Sequence, residues 1–354
     1  MPSRAATRAR PGRRGVLVTS AVAVIVVLVA ELVLRTLPAL PPPIVWNDVE
    51  VDQKAETMER HRAAGERAPV VYVGSSIIDA AIDPELVASA YPRARRGYNA
   101  ALEGADGTSI AGWTEEVVLP RLAPEVVVVG LSPRELNDNG RNQQEFADTF
   151  FASRGWRDAS GRASLADRLS ATAEERSALA RSRSRLRDPA TALRYWRSGE
   201  RTSWQSPNDP GSGRLLRYDD SETYMPPDLD GADAVFGDFE AGGRISARLD
   251  RMIERLHRAD VSVVLLEPAV VAEDLDPVIK ESDRAAASAV VRRLGASRCV
   301  PIIDLRDHVT DRSAFADNVH VNARGRLAVS TELGDRLAEL DAAGELTAGC
   351  VGSS

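Results

Sequence analysis

Val70-Val71-Tyr72-Val73-Gly74-Ser75-Ser76 sets a run of β-branched and aromatic residues directly against a glycine and two hydroxyls. A short apolar run bounded by turn residues reads as a strand covered on both faces, because β-branched side chains fit a pleat and a half-exposed strand would alternate with polar residues. Similar runs recur at Val126–Val129, Val261–Leu266 and Val300–Ile303. Helical patterns lie between them. Arg244–Arg258 carries Ile245, Leu249, Met252, Ile253 and Leu256 at helical spacing just before the Val261 run, and Asp283–Leu294 and Ala323–Leu340 read the same way. Gly295 reads as the helix stop before the Val300 run. Strands alternating with crossover helices predict an α/β fold with a doubly wound parallel sheet.

The chain has 354 residues, 44% hydrophobic and 27% charged, which predicts a folded body rather than disorder. An α/β domain with a long insertion absorbs that length as one unit. Formal net charge is −7, and Arg4, Arg8, Arg10, Arg13 and Arg14 stand together before the first apolar run, so the remainder is more acidic still. An acidic body lacks the basic face that displaces counterions from a phosphate backbone, so no nucleic acid partner is expected. Cys299 and Cys350 are the only cysteines, too few for a zinc cluster. They pair outside the cytoplasm or stay as two thiols, and the spacing leaves both open. No Walker A loop, strand-linked G-x-G-x-x-G, H-E-x-x-H or G-x-S-x-G occurs, so neither a metal nor a nucleotide cofactor is expected.

Val16–Leu34 is apolar except for Thr19, Ser20 and Glu31. About 19 residues at a rise of about 1.5 Å nearly span a hydrocarbon core of roughly 30 Å, and Glu31 near the outer end can reach interfacial water. The arginines then keep residues 1–15 in the cytoplasm, with the anchor over 16–37 and the rest of the chain outside. A cleaved signal peptide is the alternative, and it exports the body equally. Pro38 and Pro41-Pro42-Pro43 cannot continue the helix and predict a stiff stalk over 38–67. The domain follows over 68–345, and residues 346–354 form a small-residue tail. From about 139 to 243 the strand rhythm is lost and Arg, Ser, Asp, Gly and Pro abound, which marks an insertion with a helical first half. Its Arg181–Arg187 run reads as a solvated helix face, and Trp196 and Trp204 either line a sugar-binding surface or pack the insertion.

The chemistry starts at Gly74-Ser75-Ser76, which puts a hydroxyl at the carboxyl edge of a parallel sheet, where open α/β folds collect their ligands. A serine hydroxyl is a weak nucleophile until a base takes its proton, so a histidine must come within reach. Of the four histidines, His61 sits in a charged run before the first strand, His257 lies on the polar side of a helix, and His308 beside Asp304 and Asp307 reads as a solvated turn residue. His320 stands apart. Asp317 precedes it by three residues, a spacing that lets the carboxylate fold back onto Nδ1 and leave the other ring nitrogen to accept the serine proton.

The order of these pieces resembles the SGNH/GDSL hydrolase superfamily over about residues 68–140 and 245–340. In that resemblance Gly74-Ser75-Ser76 is the first block and implies Ser76 as nucleophile. Tyr98-Asn99-Ala100-Ala101-Leu102-Glu103-Gly104 resembles the second block and implies the Gly104 amide as an oxyanion donor. Asp317-Asn318-Val319-His320-Val321-Asn322 resembles the last block and implies Asp317 as acid and His320 as base. The chain departs from the pattern twice. Ser75 stands where an aspartate is usual, as in membrane-linked, polysaccharide-modifying branches, and is itself a second candidate nucleophile. Ser132 in Gly130-Leu131-Ser132-Pro133 stands where an asparagine is usual, with Asn137 five residues on, so the third oxyanion donor is Ser132 or Asn137.

The resemblance implies a flavodoxin-like sheet with no cofactor. It also implies an extracytoplasmic esterase or O-acyltransferase acting on acyl, in the first place acetyl, esters of small molecules or cell-surface glycans. A non-catalytic partner that keeps the fold and binds a glycan or another membrane protein is the alternative.

Overall fold

The apolar runs become strands with small shifts at their ends. The computed structural model describes residues 13–36, 44–183, 186, 190, 208–209, 211–221, 223–227 and 229–349. Within them β1 is Val70–Val73, β2 Tyr98–Asn99, β3 Val126–Gly130, β4 Ser262–Glu267 and β5 Ile302–Asp304. All pairings are parallel, in the order β2-β1-β3-β4-β5. The fold is therefore α/β, a doubly wound sheet of flavodoxin-like order, and the chain reverses its direction of growth between β1 and β3. That reversal opens a crevice at the carboxyl ends of those two strands. β2 was not expected as a strand, because its two residues carry no apolar run.

Register explains the uninterrupted apolar runs. β1 pairs with β3 from Val70↔Val126 to Val73↔Val129, and β3 with β4 from Val126↔Ser262 to Gly130↔Leu266. Successive side chains point to opposite faces. Val71, Val73, Val127, Val129, Val263 and Leu265 enter one core with Trp113, Leu249 and Met252. Val70, Tyr72, Val126, Val128, Val264 and Leu266 enter the other with Ile78, Val329 and Leu333. Both faces are covered, so neither tolerates alternation.

Helix Arg244–Arg258 buries Ile245, Leu249, Met252, Ile253 and Leu256, the stripe its spacing predicts. Helix Glu281–Arg298 runs through Gly295 and stops at Cys299, which adopts φ 52° and ψ 44°. Gly295 is a contact glycine, not a stop: a Cβ there would stand 2.8 Å from Ile302 Cδ1 and 3.0 Å from the Val300 carbonyl. Helix Ala323–Ala342 starts at Asn322, whose Oδ1 accepts from the amides of Arg324 at 3.0 Å and Gly325 at 3.3 Å.

The chain forms two compact units, Ile44–Ala163 with Ser203–Ser354 and Met1–Pro43 with Ser164–Thr202. The second holds helix Arg13–Thr36, whose Leu17–Thr36 segment is long and apolar enough to cross a membrane, together with helices Leu165–Arg176 and Ala178–Ser182. Glu31, expected in interfacial water, accepts hydrogen bonds from the amides of Ala178 at 2.8 Å and Leu179 at 2.9 Å and from Ser177 Oγ at 2.8 Å. Arg181 donates to backbone carbonyls of Glu174 and Glu175, and Arg183 pairs with Glu174 at 3.0 Å. Arg185, Arg187, Trp196, Trp204, Pro38 and the Pro41–Pro43 run lie outside the described residues. So does Cys350, and with it the question of pairing with Cys299.

The stalk expected over 38–67 needs correction. Val49–Ala63 is a helix of the sheet-bearing unit, capped by Asp48 and burying Val51 and Met58 in the first core. Its inner face also carries charge, which hid it from a hydrophobic pattern. Lys54 is 2% exposed. Its ammonium reaches Asp79 Oδ1 at 2.8 Å, Glu50 Oε1 at 3.1 Å and the Ala101 carbonyl. Burial alone would push the lysine down, but the two carboxylates outweigh it and hold its pKa above the ordinary value. Asn208 Nδ2 adds a bond to Asp79 Oδ2 at 2.8 Å, and Glu50 Oε2 accepts from the Glu103 amide at 3.0 Å.

Removing one partner of a buried ionic cluster leaves uncompensated charge and typically costs about 3–5 kcal/mol. Lys54→Met, which keeps the volume but not the charge, is expected to lose that much stability in urea unfolding of the detergent-solubilised full chain. A loss under about 1 kcal/mol, the worth of an exposed pair, would show the cluster to be dispensable.

Candidate active site

Gly74 follows β1 and Gly130 ends β3, and both lack a Cβ where Ile78 needs the room. A Cβ on Gly74 would stand 2.5 Å from Ile78 Cγ1 and 3.3 Å from the Gly130 carbonyl, and one on Gly130 would fall inside the Ile78 side chain. The short helix Ser76–Ala81 can therefore start at once after β1 and lie against the sheet. Ser75 is its N-cap, 1% exposed, with Oγ accepting from the Ile77 amide at 3.3 Å. That role removes Ser75 as an alternative nucleophile, since its oxygen is buried and occupied by the cap. Ser76 is half-buried at the first helical position, facing the crevice.

The imidazole arrives from far along the chain. An antiparallel bridge, Phe315↔Val321, closes a tight loop in which the Ala316 amide donates to the His320 carbonyl at 2.8 Å. Inside it, Asp317 Oδ1 accepts from the amides of Val319 at 2.9 Å and His320 at 2.8 Å. Asp317 Oδ2 lies 2.7 Å from His320 Nδ1, and His320 Nε2 lies 2.9 Å from Ser76 Oγ. Burial would raise the Asp317 carboxyl, yet the hydrogen bond and charge of His320, with the two amides, overcome it and hold the pKa below the ordinary value. An ionised Asp317 fixes the tautomer with the proton on Nδ1 and leaves the Nε2 lone pair for the Ser76 hydroxyl.

Tyr218 covers the ring on one side, with centroids 4.7 Å apart and planes 21° from parallel. It stands in the segment read only as insertion, and nothing in its local sequence signals the contact. The other histidines are remote from this arrangement: His61 pairs with Glu66, His257 is half-buried with its pKa lowered by burial and Arg298, and His308 is exposed.

Gly104 lies in the turn after β2 with φ +83°, a left-handed backbone suited to glycine. The Leu102 amide donates to the Gly74 carbonyl at 2.9 Å, which ties that turn to the end of β1. Among the described residues neither the Gly104 amide nor the Ser76 amide has an intramolecular acceptor. Ser132 caps the helix Pro133–Leu136 in a capping box: its amide donates to Glu135 Oε2 at 2.7 Å and its Oγ accepts from the Arg134 amide at 3.3 Å. It lines the same cavity as Ser76 and His320. Asn137 does not. Its Nδ2 donates to the Val235 carbonyl at 2.8 Å and its Oδ1 accepts from the amides of Asn139 and Glu240, each at 3.1 Å. The carboxamide is committed to holding the 235–240 segment, so Asn137 is withdrawn as an oxyanion donor.

The body thus combines a doubly wound parallel sheet with a Ser-His-Asp constellation at its topological switch point. No family model matches the sequence, and no curated protein matches it. Among solved structures the chain is similar to a lipase/acylhydrolase from Enterococcus faecalis, at 13% identity over 75% of this chain and 95% of that one, with a TM-score of 0.36. It is also similar to a catalytic mutant of an acetylxylan esterase from Geobacillus stearothermophilus, at 12% identity over 77% and 93%, TM-score 0.37. A third is a carbohydrate acetylesterase from Sinorhizobium meliloti, at 8% identity over 77% and 98%, TM-score 0.36.

Ser75→Ala removes the helix cap and is expected to cost about 1 kcal/mol in urea unfolding, with Ser76 left in place. A depressed carboxyl pKa stabilises the fold above the unfolded value and loses that increment as pH falls through the folded one. Asp317→Asn is accordingly expected to destabilise the chain at pH 7 and much less at pH 2, read from unfolding midpoints at both values. An equal effect at the two pH values would remove the ionised carboxylate from the account.

Proposed function

We propose that the protein is an SGNH-type serine esterase or O-acyltransferase that works through an acyl-enzyme on Ser76. The observation carrying this reading is the continuous relay from Asp317 to His320 to Ser76, with contacts of 2.7 and 2.9 Å. His320 takes the Ser76 proton as Oγ attacks an acyl carbonyl, and the developing oxyanion meets the Ser76 and Gly104 amides. The proton passes to the departing alcohol, and an acyl-enzyme remains. Water or a second hydroxyl then attacks it, with His320 again as base, and the choice of acceptor separates esterase from acyltransferase.

The apolar Leu17–Thr36 helix supports an anchor with the relay outside the cytoplasm, and a cleaved export signal gives the same destination. That setting makes acylated cell-surface glycans the substrate class we favour. A non-catalytic glycan-binding role draws support from the loss of Asn137 as a third oxyanion donor.

Treatment of the full chain with a fluorophosphonate probe, followed by peptide mass spectrometry, separates the two. Modification of Ser76 is expected, none in Ser76→Ala, and a labelling rate about 10³–10⁴-fold lower in Asp317→Asn, where the wrong tautomer is held. Absence of labelling in a chain with an undisturbed unfolding midpoint would leave the binding role.

A further inference from the structure

The crevice beside Ser76 is a cavity of about 320 Å³, within the usual size range of a small-molecule pocket. At about 30 Å³ per water it accommodates roughly ten waters, far more than the methyl of an acetyl group displaces. Much of its lining is apolar: Val235 and Phe236 from helix Leu229–Phe236, and Leu275, Val278 and Ile279 from the segment after β4. Leu275 and Ile279 are also packed into the body, at 7% and 4% exposure. The polar side chains of the lining are Ser76, Ser132, Arg134, Asn142, Asn318 and His320. A sugar would need hydrogen-bonding partners along its whole length, and the side chains of Val235, Phe236, Leu275, Val278 and Ile279 offer none.

Resting on the esterase or acyltransferase reading, we infer that this cavity is an acyl-chain site, and that the enzyme prefers straight-chain acyl groups of about six to eight carbons over acetyl. The chain, not the alcohol, is the occupant because of the order of steps. The ester C–O bond breaks, the Ser76 Oγ–acyl bond forms and the alcohol leaves with the proton from His320. The group that stays through both halves suits an apolar wall, whereas an alcohol held there would block the incoming acceptor.

The test is the first turnover of the full chain with p-nitrophenyl esters from acetyl to decanoyl, read as p-nitrophenol released per equivalent of enzyme. This release reports acylation whether or not water is the natural acceptor. The second-order acylation constant is expected to rise about fourfold per added methylene up to the hexanoyl or octanoyl ester, then fall. Val235→Trp, which fills the cavity, is expected to lower the octanoyl-to-acetyl ratio by at least about tenfold. A maximum at acetyl in the wild-type chain overturns the inference even though the hydrolase reading stands, as does a ratio unmoved in both Val235→Trp and Ile279→Trp. No release from any ester, with Ser76 unlabelled by the fluorophosphonate, overturns the hydrolase reading itself and this inference with it.

Discussion

Two missing Cβ atoms let the proposed nucleophile sit where it does. Gly74 and Gly130 open the ends of adjacent parallel strands to Ile78, so the helix beginning at Ser76 lies flush on the sheet at its switch point. A methyl at either glycine would collide with a buried, branched side chain, and a packed interior has no slack to absorb it. From this contact follow the N-cap role of Ser75, the outward face given to Ser76, and the need to fasten the far end of so short a helix.

That fastening comes from three directions. Asn99 Nδ2 reaches the carbonyls of Ile78 at 3.2 Å and Ile82 at 2.8 Å, while Lys54 grips Asp79 from below. Arg326 donates through Nε to the Ala80 carbonyl at 2.7 Å, and Ser330 Oγ donates to Ala81 at 3.0 Å. Arg326 and Ser330 belong to the helix that starts at Asn322, two residues after His320. The 2.9 Å contact between side chains 244 residues apart is thus not left to loops: the helix carrying Ser76 is bonded to the helix that holds the imidazole loop. Such bracing suits general-base chemistry, where a misplacement of about 1 Å costs about 100-fold in rate.

The strands and crossover helices were legible because burial on both faces forces apolar runs that a sequence displays openly, as in Val126–Val129. The juxtaposition of Ser76, Asp317 and His320 was legible for another reason: the roles proposed for them need particular residue types at a strand end and at a three-residue spacing. What stayed hidden was set by contacts across the chain. Lys54, Glu50 and Asp79 look like surface charge until a second carboxylate and a carbonyl enclose the ammonium. Gly295 looks like a stop until Ile302 arrives beside it, and Tyr218 stands in a stretch without strand or helical rhythm. Asn137 stands as an alternative to Ser132 by spacing alone, until Val235, Asn139 and Glu240 engage its side chain.

The commitment of Asn137 bears on the third oxyanion donor. One such donor is worth about 3 kcal/mol of transition-state stabilisation, so its absence would be felt. Ser132 is the remaining side chain of the expected pair that borders the cavity, and its bonding is asymmetric. Its oxygen accepts from Arg134 and its amide is spent on Glu135, but the hydroxyl hydrogen is still free to turn. Accepting at the cap and donating into the crevice are compatible for a hydroxyl, which carries both capacities on one atom. The cap would then orient the donor rather than compete with it, and Ser132 would be able to supply a hydrogen bond to the oxyanion of the proposed reaction.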